Sequence, residues 1–329
     1  MEKRFLVIQT AFIGDAILAG ALLEELHAGF PDAKIDLLLR KGNDLLYANH
    51  PFLNHLYVWD KSGNKLLHLF KIIREIRKIR YDRIINLHRF ASSGMITMLA
   101  RGEVKAGFDK NPFAGSYDIK KKHIIGDGRH ETDRNAGLIE DISSIRIRKP
   151  KLYPSAQNFN TVEKYKQDKY ICIAPTSVWK TKALPENKWV ELIKRLKGYY
   201  KIFLIGAPAD YKACERIMTL SGDNNVQILA GKLNLLESAA LFKDAQMNYV
   251  NDSAPLHLAS AMNAPVTAVF CSTVPDFGFG PLSDNSHIVE VKEELSCRPC
   301  GLHGFVNCPE GHFKCGKNIT IDQLIKPLK

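Results

Sequence analysis

The sequence predicts an α/β protein made of two doubly wound domains, each built on a parallel sheet. Three observations carry that prediction. Short apolar runs of strand length alternate with longer runs of helical period. A charged, proline-containing stretch, Ile145–Ser155, interrupts the alternation near the middle. Each half opens with a strand that passes through a small-residue turn into a helix. A length of 329 residues suits two domains, and 22 glycines and 15 prolines are too few for a fibrous or disordered chain. The expected domains are 1–153 and 154–329.

In the first half, Phe5–Gln9 is short, apolar and rich in Val and Ile, and reads as a buried strand. Thr10–Gly14 is the turn that follows. Ala16–Gly29 has a helical pattern, closed by Phe30-Pro31. Lys34–Leu39 and Leu56–Trp59 are the next strands. Lys65–Arg80 reads as a helix, with Leu66, Leu69, Ile72, Ile73, Ile76 and Ile79 on one face, and Arg83–Leu87 as a strand. In the second half the expected strands are Tyr170–Ala174, Lys201–Ile205, Val226–Leu229, Met247–Val250 and, as the last, Val266–Phe270. The expected helices are Glu186–Leu196, Tyr211–Leu220, Leu235–Phe242 and Leu256–Met262.

The chain carries 46 Lys and Arg against 35 Asp and Glu, a net charge of +11 that favours anionic partners. The excess is spread over both halves. It is locally dense at Arg74, Arg77, Lys78, Arg80 and Arg83, and again at Lys120–Lys122. These runs read either as solvated surface or as a seat for a phosphorylated acceptor or an anionic membrane. No recognised nucleic-acid-binding motif accompanies the charge. No apolar window approaches the roughly 18 residues of a membrane span. The run Phe5–Ile8 is too short for a signal peptide, and Asp15 interrupts the next apolar stretch.

Four stretches carry candidate chemistry. In Thr10–Asp15 a strand ends, Gly14 lets the backbone approach a ligand closely, and Asp15 stands at a helix start. Asp15 reads either as a helix cap or as a general base. The stretch is no dinucleotide fingerprint, because the second and third glycines are missing. Beyond the strand Tyr170–Ala174, Thr176, Ser177 and Lys182 offer hydroxyls and a point charge suited to a diphosphate. Asn251–His257 places Asp252, Ser253 and Ala254 at another helix start, a phosphate-cradle arrangement. His257 inside that helix reads equally as a core histidine. Ser253 lacks the G-x-S-x-G elbow of a hydrolase. Finally, Cys297, Cys300, Cys308 and Cys315 have His303 and His312 among them. They suit structural zinc, a disulfide or reduced thiols in a packed tail; the spacing of the second pair is irregular for a zinc ribbon.

The stretches IGDAILAGALLEEL, APTSVWKTKALPENKW, GAPAD at 206–210, NDSAPLHLASAMNAPVTAVF and the tail CRPCGLHGFVNCPEGHFKC stand in register along the chain. Together they resemble glycosyltransferase family 9, the bacterial ADP-heptose:lipopolysaccharide heptosyltransferases, and the tail is similar to the heptosyltransferase II branch. The resemblance implies a GT-B fold, two Rossmann-like domains facing a cleft, with acceptor held by 1–153 and nucleotide sugar by 154–329. It implies an inverting transfer without metal or other cofactor, from ADP-heptose to the lipopolysaccharide core, with no nucleic-acid partner. By matching positions, Asp15 would deprotonate the acceptor and Lys182 neutralise the diphosphate near Thr176 and Ser177. Asp210 would lie near the ribose, and Asp252, Ser253 and Ala254 against sugar and phosphates with His257 close by. The chain departs from the family pattern at Leu184, usually aromatic, and at Ser253-Ala254-Pro255, usually glycine-bearing. The expected location is the cytoplasm, with peripheral contact at the inner face of the inner membrane. The rival expectations are a family member using another nucleotide sugar or acceptor, and a non-catalytic nucleotide- or glycolipid-binding protein.

Overall fold

A computed structural model describes residues 2–328. The chain divides into two compact units, residues 1–125 with 129–153, and 126–128 with 154–329. In the first unit the elements run β1 (Arg4–Gln9), α1 (Ile13–Gly29), β2 (Lys34–Arg40), β3 (Leu53–Trp59), α2 (Lys65–Ile76), β4 (Arg80–Asn86), α3 (Ala91–Leu99), β5 (Arg101–Phe108), β6 (Ile119–Lys121) and α4 (Glu131–Ala136). All strand pairs are parallel and the order is β3-β2-β1-β4-β5-β6. The second unit runs α5 (Ala156–Glu163), β7 (Tyr170–Ala174), α6 (Glu186–Leu196), β8 (Lys201–Leu204), α7 (Tyr211–Ser221), β9 (Val226–Ile228), α8 (Leu235–Lys243), β10 (Met247–Asn251), α9 (Ala254–Ala261), β11 (Val266–Phe270), β12 (Ser286–Glu290), α10 (Lys314–Lys317) and α11 (Ile321–Ile325). Its parallel order, β12-β11-β10-β7-β8-β9, is the same doubly wound pattern about its own first strand. The α/β class and the two Rossmann-like sheets are as the sequence predicts.

Parallel sheets are covered on both faces, so their central strands are apolar throughout rather than alternating. Phe5–Ile8 and Tyr170–Ala174 show this, with every residue buried. Helix α1 is also buried nearly all round from Ala16 to Leu23, consistent with an apolar sequence that lacks a polar stripe. Tyr47 reaches across to donate to the Ala16 carbonyl at 2.7 Å. Helix α6 is amphipathic instead, burying Trp189, Val190, Leu192, Ile193 and Leu196. Ser155 caps α5 immediately after the charged stretch, its side chain accepting from the Asn158 N–H.

Several boundaries differ from the sequence reading. Helix α2 stops at Ile76, not at residue 80, because Arg80 already pairs with Arg101 in the sheet. The helical spacing of Ile79 continued the pattern past the true end. Val266–Phe270 is not the last strand: β12 follows it at the sheet edge. Only Val289 of β12 is buried, so its apolar signal is weak. Strands β5 and β6 and helix α3 fill a region to which the sequence reading assigned no element, since RGEVKAGF is too mixed to mark a buried strand. Helices α1 and α9 begin three and two residues earlier than expected, which places Gly14, Asp15 and Ala254 inside first turns. No described helix is long and apolar enough to cross a membrane.

Candidate active site

In the first unit, β1 ends at Gln9 and α1 starts at Ile13, so Gly14 and Asp15 fall in the first helical turn. Phe12 takes the N-cap position without a side-chain cap, leaving amide groups for the Asp15 carboxylate. Asp15 is half-buried, and burial lifts its pKa from 3.8 to about 6. The Glu131 carboxylate adds to the rise; Arg89 and the amides of Asp15 and Phe12 oppose it. Asp15 is therefore a carboxylate poised near neutrality, as a general base requires.

A buried polar chain stands beside it. Arg89 Nη1 lies 2.8 Å from His123 Nδ1, and His123 Nε2 lies 2.9 Å from Glu131 Oε2. A guanidinium only donates, so Nδ1 accepts, and the ring proton sits on Nε2 facing Glu131. Arg134 donates to the same Glu131 oxygen at 2.9 Å. Burial pushes the Glu131 pKa up, but His123 and Arg134 together hold it below its ordinary value. On the other side, Thr10 Oγ1 meets His88 Nδ1 at 2.9 Å, and Lys61 donates to the Thr10 carbonyl at 2.7 Å. Burial, with Lys61 and Arg89 nearby, pushes the His88 pKa down to about 3. Arg89, His123 and Glu131 escaped the sequence reading because they are 42 residues apart along the chain and carry no motif.

In the second unit the candidate residues follow the carboxyl ends of neighbouring strands, where open α/β sheets bind ligands. Thr176 and Ser177 are half-buried just beyond β7. Asp252, Ser253 and Ala254 follow β10, with Ser253 as the N-cap of α9 and no side-chain cap on its amides. Lys182 Nζ lies 2.6 Å from Asp252 Oδ2, with both side chains largely buried. Thr273 Oγ1 donates to that same oxygen at 2.6 Å. Asn251 stitches the loops together: its Oδ1 accepts from Leu184 N at 2.9 Å, and its Nδ2 donates to the Ala174 and Thr176 carbonyls at 3.3 Å.

Two further candidate residues sit on the same unit. Asp210 ends the short turn after β8, and its Oδ2 accepts from the Ala207 N–H at 2.7 Å, closing its own turn. His257 is buried in the body of α9, as the core-histidine reading expects.

The cysteine-rich tail braces this site. Phe305 N donates to Thr181 Oγ1 at 2.7 Å, and Thr181 N returns a bond to the Phe305 carbonyl at 3.0 Å. Cys300 N donates to the Ser272 carbonyl at 2.8 Å. The Arg298 guanidinium donates to the carbonyls of Cys271 and Thr273, both at 2.7 Å, and to Glu290 at 2.7 Å. At Gly304, with φ +72°, a Cβ would stand 2.7 Å from Ser272 Oγ, 2.8 Å from Thr181 Oγ1 and 3.2 Å from Lys182 Cγ. The tail thus packs on the residues before and beside Lys182. All four tail cysteines are free thiols. Burial, then neighbouring thiols, raises Cys315 to about 11 and Cys300 above its ordinary value. Among the described residues no group of three or more His, Cys, Asp or Glu is set to hold a metal ion.

The chain is 27% identical over 289 residues to lipopolysaccharide heptosyltransferase 3 of Escherichia coli, covering 83% of this chain and 85% of that protein. It superposes on the structure of E. coli ADP-heptose lps heptosyltransferase II with a TM-score of 0.80 and 21% identity, covering 100% of this chain and 97% of that one; the fold is GT-B. The dodecameric iron-containing glycosyltransferase TibC of enterotoxigenic E. coli shares the fold at a TM-score of 0.60 and 18% identity, over 99% of this chain and 75% of that one. The pattern defining Glycosyltransferase family 9 (heptosyltransferase) matches residues 69–303, well over half of the sequence, and the chain belongs to that family.

Proposed function

We propose that this glycosyltransferase moves heptose from ADP-heptose to the inner core of lipopolysaccharide in one inverting displacement, without a metal cofactor. The carrying observation is Asp15, a half-buried carboxylate at a helix start with its pKa lifted to about 6. In this reading residues 1–153 hold the acceptor and 154–329 the nucleotide sugar. Asp15 takes the proton of the acceptor hydroxyl as its oxygen bonds to the anomeric carbon. The bond from that carbon to the diphosphate oxygen breaks, and ADP departs with the electron pair. Lys182 supplies positive charge where that charge develops, and the uncapped amides of α9 add their dipoles. Thr176, Ser177, Ser253 and Ala254 offer donors to the phosphates, Gly14 opens the backbone beside the acceptor, and Asp210 serves the ribose. Asp252 orients Lys182, and His257 supports α9 from within. The reaction takes place on the cytoplasmic side, where nucleotide sugars are made.

The test is a transfer assay with core-truncated lipopolysaccharide and a panel of nucleotide sugars, with and without chelator. Wild type is expected to use ADP-heptose and to keep its rate in chelator. Asp15→Ala is expected to lose at least about a hundredfold in turnover while still binding ADP. Unchanged turnover in Asp15→Ala removes the base assignment. Transfer from a different donor alone removes the heptose assignment, and loss of rate in chelator, as an iron-containing relative makes a pointed comparison, removes metal independence.

A further inference from the structure

Helix α2 carries apolar side chains on its buried face and on an exposed side that adjoins it. Leu69, Ile73 and Ile76 are buried in the core with Tyr57, Trp59 and Tyr81. Leu66, Leu67 and Phe70 are 65%, 64% and 58% exposed; Leu66, which the helical pattern grouped with the core, lies about 20° from Ile73 at the edge of the buried face but stays in solvent in the first turn. At 100° per residue these three fall with Lys71 and Arg74 within an arc of about 140°. Arg77 and Lys78 continue the same arc past the helix end. Glu75 is the one acidic residue of the helix, and Lys78 Nζ holds it at 2.5 Å. A helix that buries a single face ordinarily shows water a polar one. Here the outward face is apolar over its first turn and a half and cationic after that. Contiguous exposed apolar surface marks an interaction site, and apolar residues flanked by Lys and Arg on one helix face match the lipid interface.

We propose that the outward face of α2 docks on an anionic phospholipid bilayer, with Leu66, Leu67 and Phe70 entering the interface and Lys71 and Arg74 on lipid phosphates, while Arg77 and Lys78, bonded to the Leu99 carbonyl and Glu75, add positive charge at its end. Charge decides between this occupant and a second copy of the chain. A twofold pairing of α2 faces would bring both sets of cations into one interface in which Glu75 is the one acid that each helix offers, whereas anionic headgroups complement them. The inference rests on the proposed function in one respect: the acceptor there is a lipid-linked sugar, and docking would hold the enzyme where that acceptor lies.

Sedimentation with vesicles tests it. Vesicles of phosphatidylcholine alone are compared with vesicles of phosphatidylcholine and phosphatidylglycerol in equal parts. Wild type is expected to sediment with the anionic vesicles, to ignore the neutral ones and to be released by high salt. Leu67→Glu with Phe70→Glu is expected to lower partitioning at least about tenfold, and Lys71→Glu with Arg74→Glu to abolish the anionic preference. Each variant keeps the buried face of α2, so an unchanged melting temperature and unchanged transfer to a delipidated core oligosaccharide are expected. Absence of wild-type binding overturns the proposal, as do variants that bind equally well. A fall in oligomeric mass in the apolar variant, without any vesicle effect, assigns the face to self-association and overturns it too. The vesicle result is independent of transfer, so an enzyme that docks but moves no heptose refutes the proposed reaction and leaves the docking surface standing.

Discussion

Lys182 and Asp252 form an ion pair at 2.6 Å whose carboxylate oxygen also accepts from Thr273. Both side chains are mostly out of water, at 15% and 9% exposure, so the ammonium is held in one place instead of wandering in solvent. A fixed charge needs little reorganisation when a diphosphate arrives. Lys182→Ala is expected to weaken ADP binding at least about tenfold, since a charged contact is lost from a partly desolvated site. Asp252→Asn keeps the ammonium but loses the carboxylate that fixes it, so ADP affinity is expected to fall less than in Lys182→Ala while thermal stability falls. Calorimetric titration with ADP checks both. Equal losses of affinity in the two variants would show that the pair, and not the lysine charge, is what the nucleotide senses.

In the proposed reaction Asp15 sets a pH dependence. Its carboxylate must be ionised to accept a proton, and burial with the Glu131 charge holds its pKa at about 6. The rate constant kcat/KM is expected to rise through about pH 6 and level off above it. Glu131→Gln removes a charge that raises this pKa. Its loss favours the ionised base, so the acidic limb is expected to move to lower pH. A limb that stays in place, or moves up, contradicts the role of Glu131.

The same shift predicts a stability effect of opposite sense to activity. Between 3.8 and about 6 the folded chain holds a proton on Asp15 that the unfolded chain has released. Stability from this group is therefore lost as the pH rises through that window, and the loss is complete above it. Asp15→Asn is expected to stabilise the fold by about 1–2 kcal/mol near pH 7.5, after allowance for the water around a half-buried group. Near pH 3 the advantage disappears. Urea unfolding at the two pH values measures it, and equal stability at both would show that burial imposes no such cost.

The repeating strand-and-helix rhythm was legible because buried parallel strands such as Tyr170–Ala174 are apolar at every position. Edge strand β12 and mixed strand β5 were not, because a half-exposed strand lacks that signal. Local stretches around Asp15, Lys182 and Asp252 were visible as small or charged residues after strands. Their partners were not. Arg89, His123 and Glu131 meet only when α3, β6 and α4 fold together, and no local spacing announces a tertiary contact. The cysteine tail drew attention for its sulfur, yet the parts that reach the site are Arg298, Gly304 and Phe305.

That brace yields the last expectation. Gly304 occupies a left-handed backbone conformation, φ +72°, and faces Ser272, Thr181 and the stem of Lys182. Alanine there meets two penalties: backbone strain of about 1–2 kcal/mol, and a methyl group forced against two hydroxyls. Thr181 exchanges bonds with Phe305 on either side of this contact, so relief of the clash must move the tail or the turn Lys180–Lys182. Because Lys182 ends that turn, Gly304→Ala is expected to raise KM for the nucleotide sugar several-fold as well as to lower the melting temperature. Cys300→Ser, a near-isosteric change of a thiol that donates to the Cys297 carbonyl, is expected to leave KM unchanged. A stability loss in Gly304→Ala with an unaltered KM would confine the tail to a structural role, whereas the paired change ties it to the lysine.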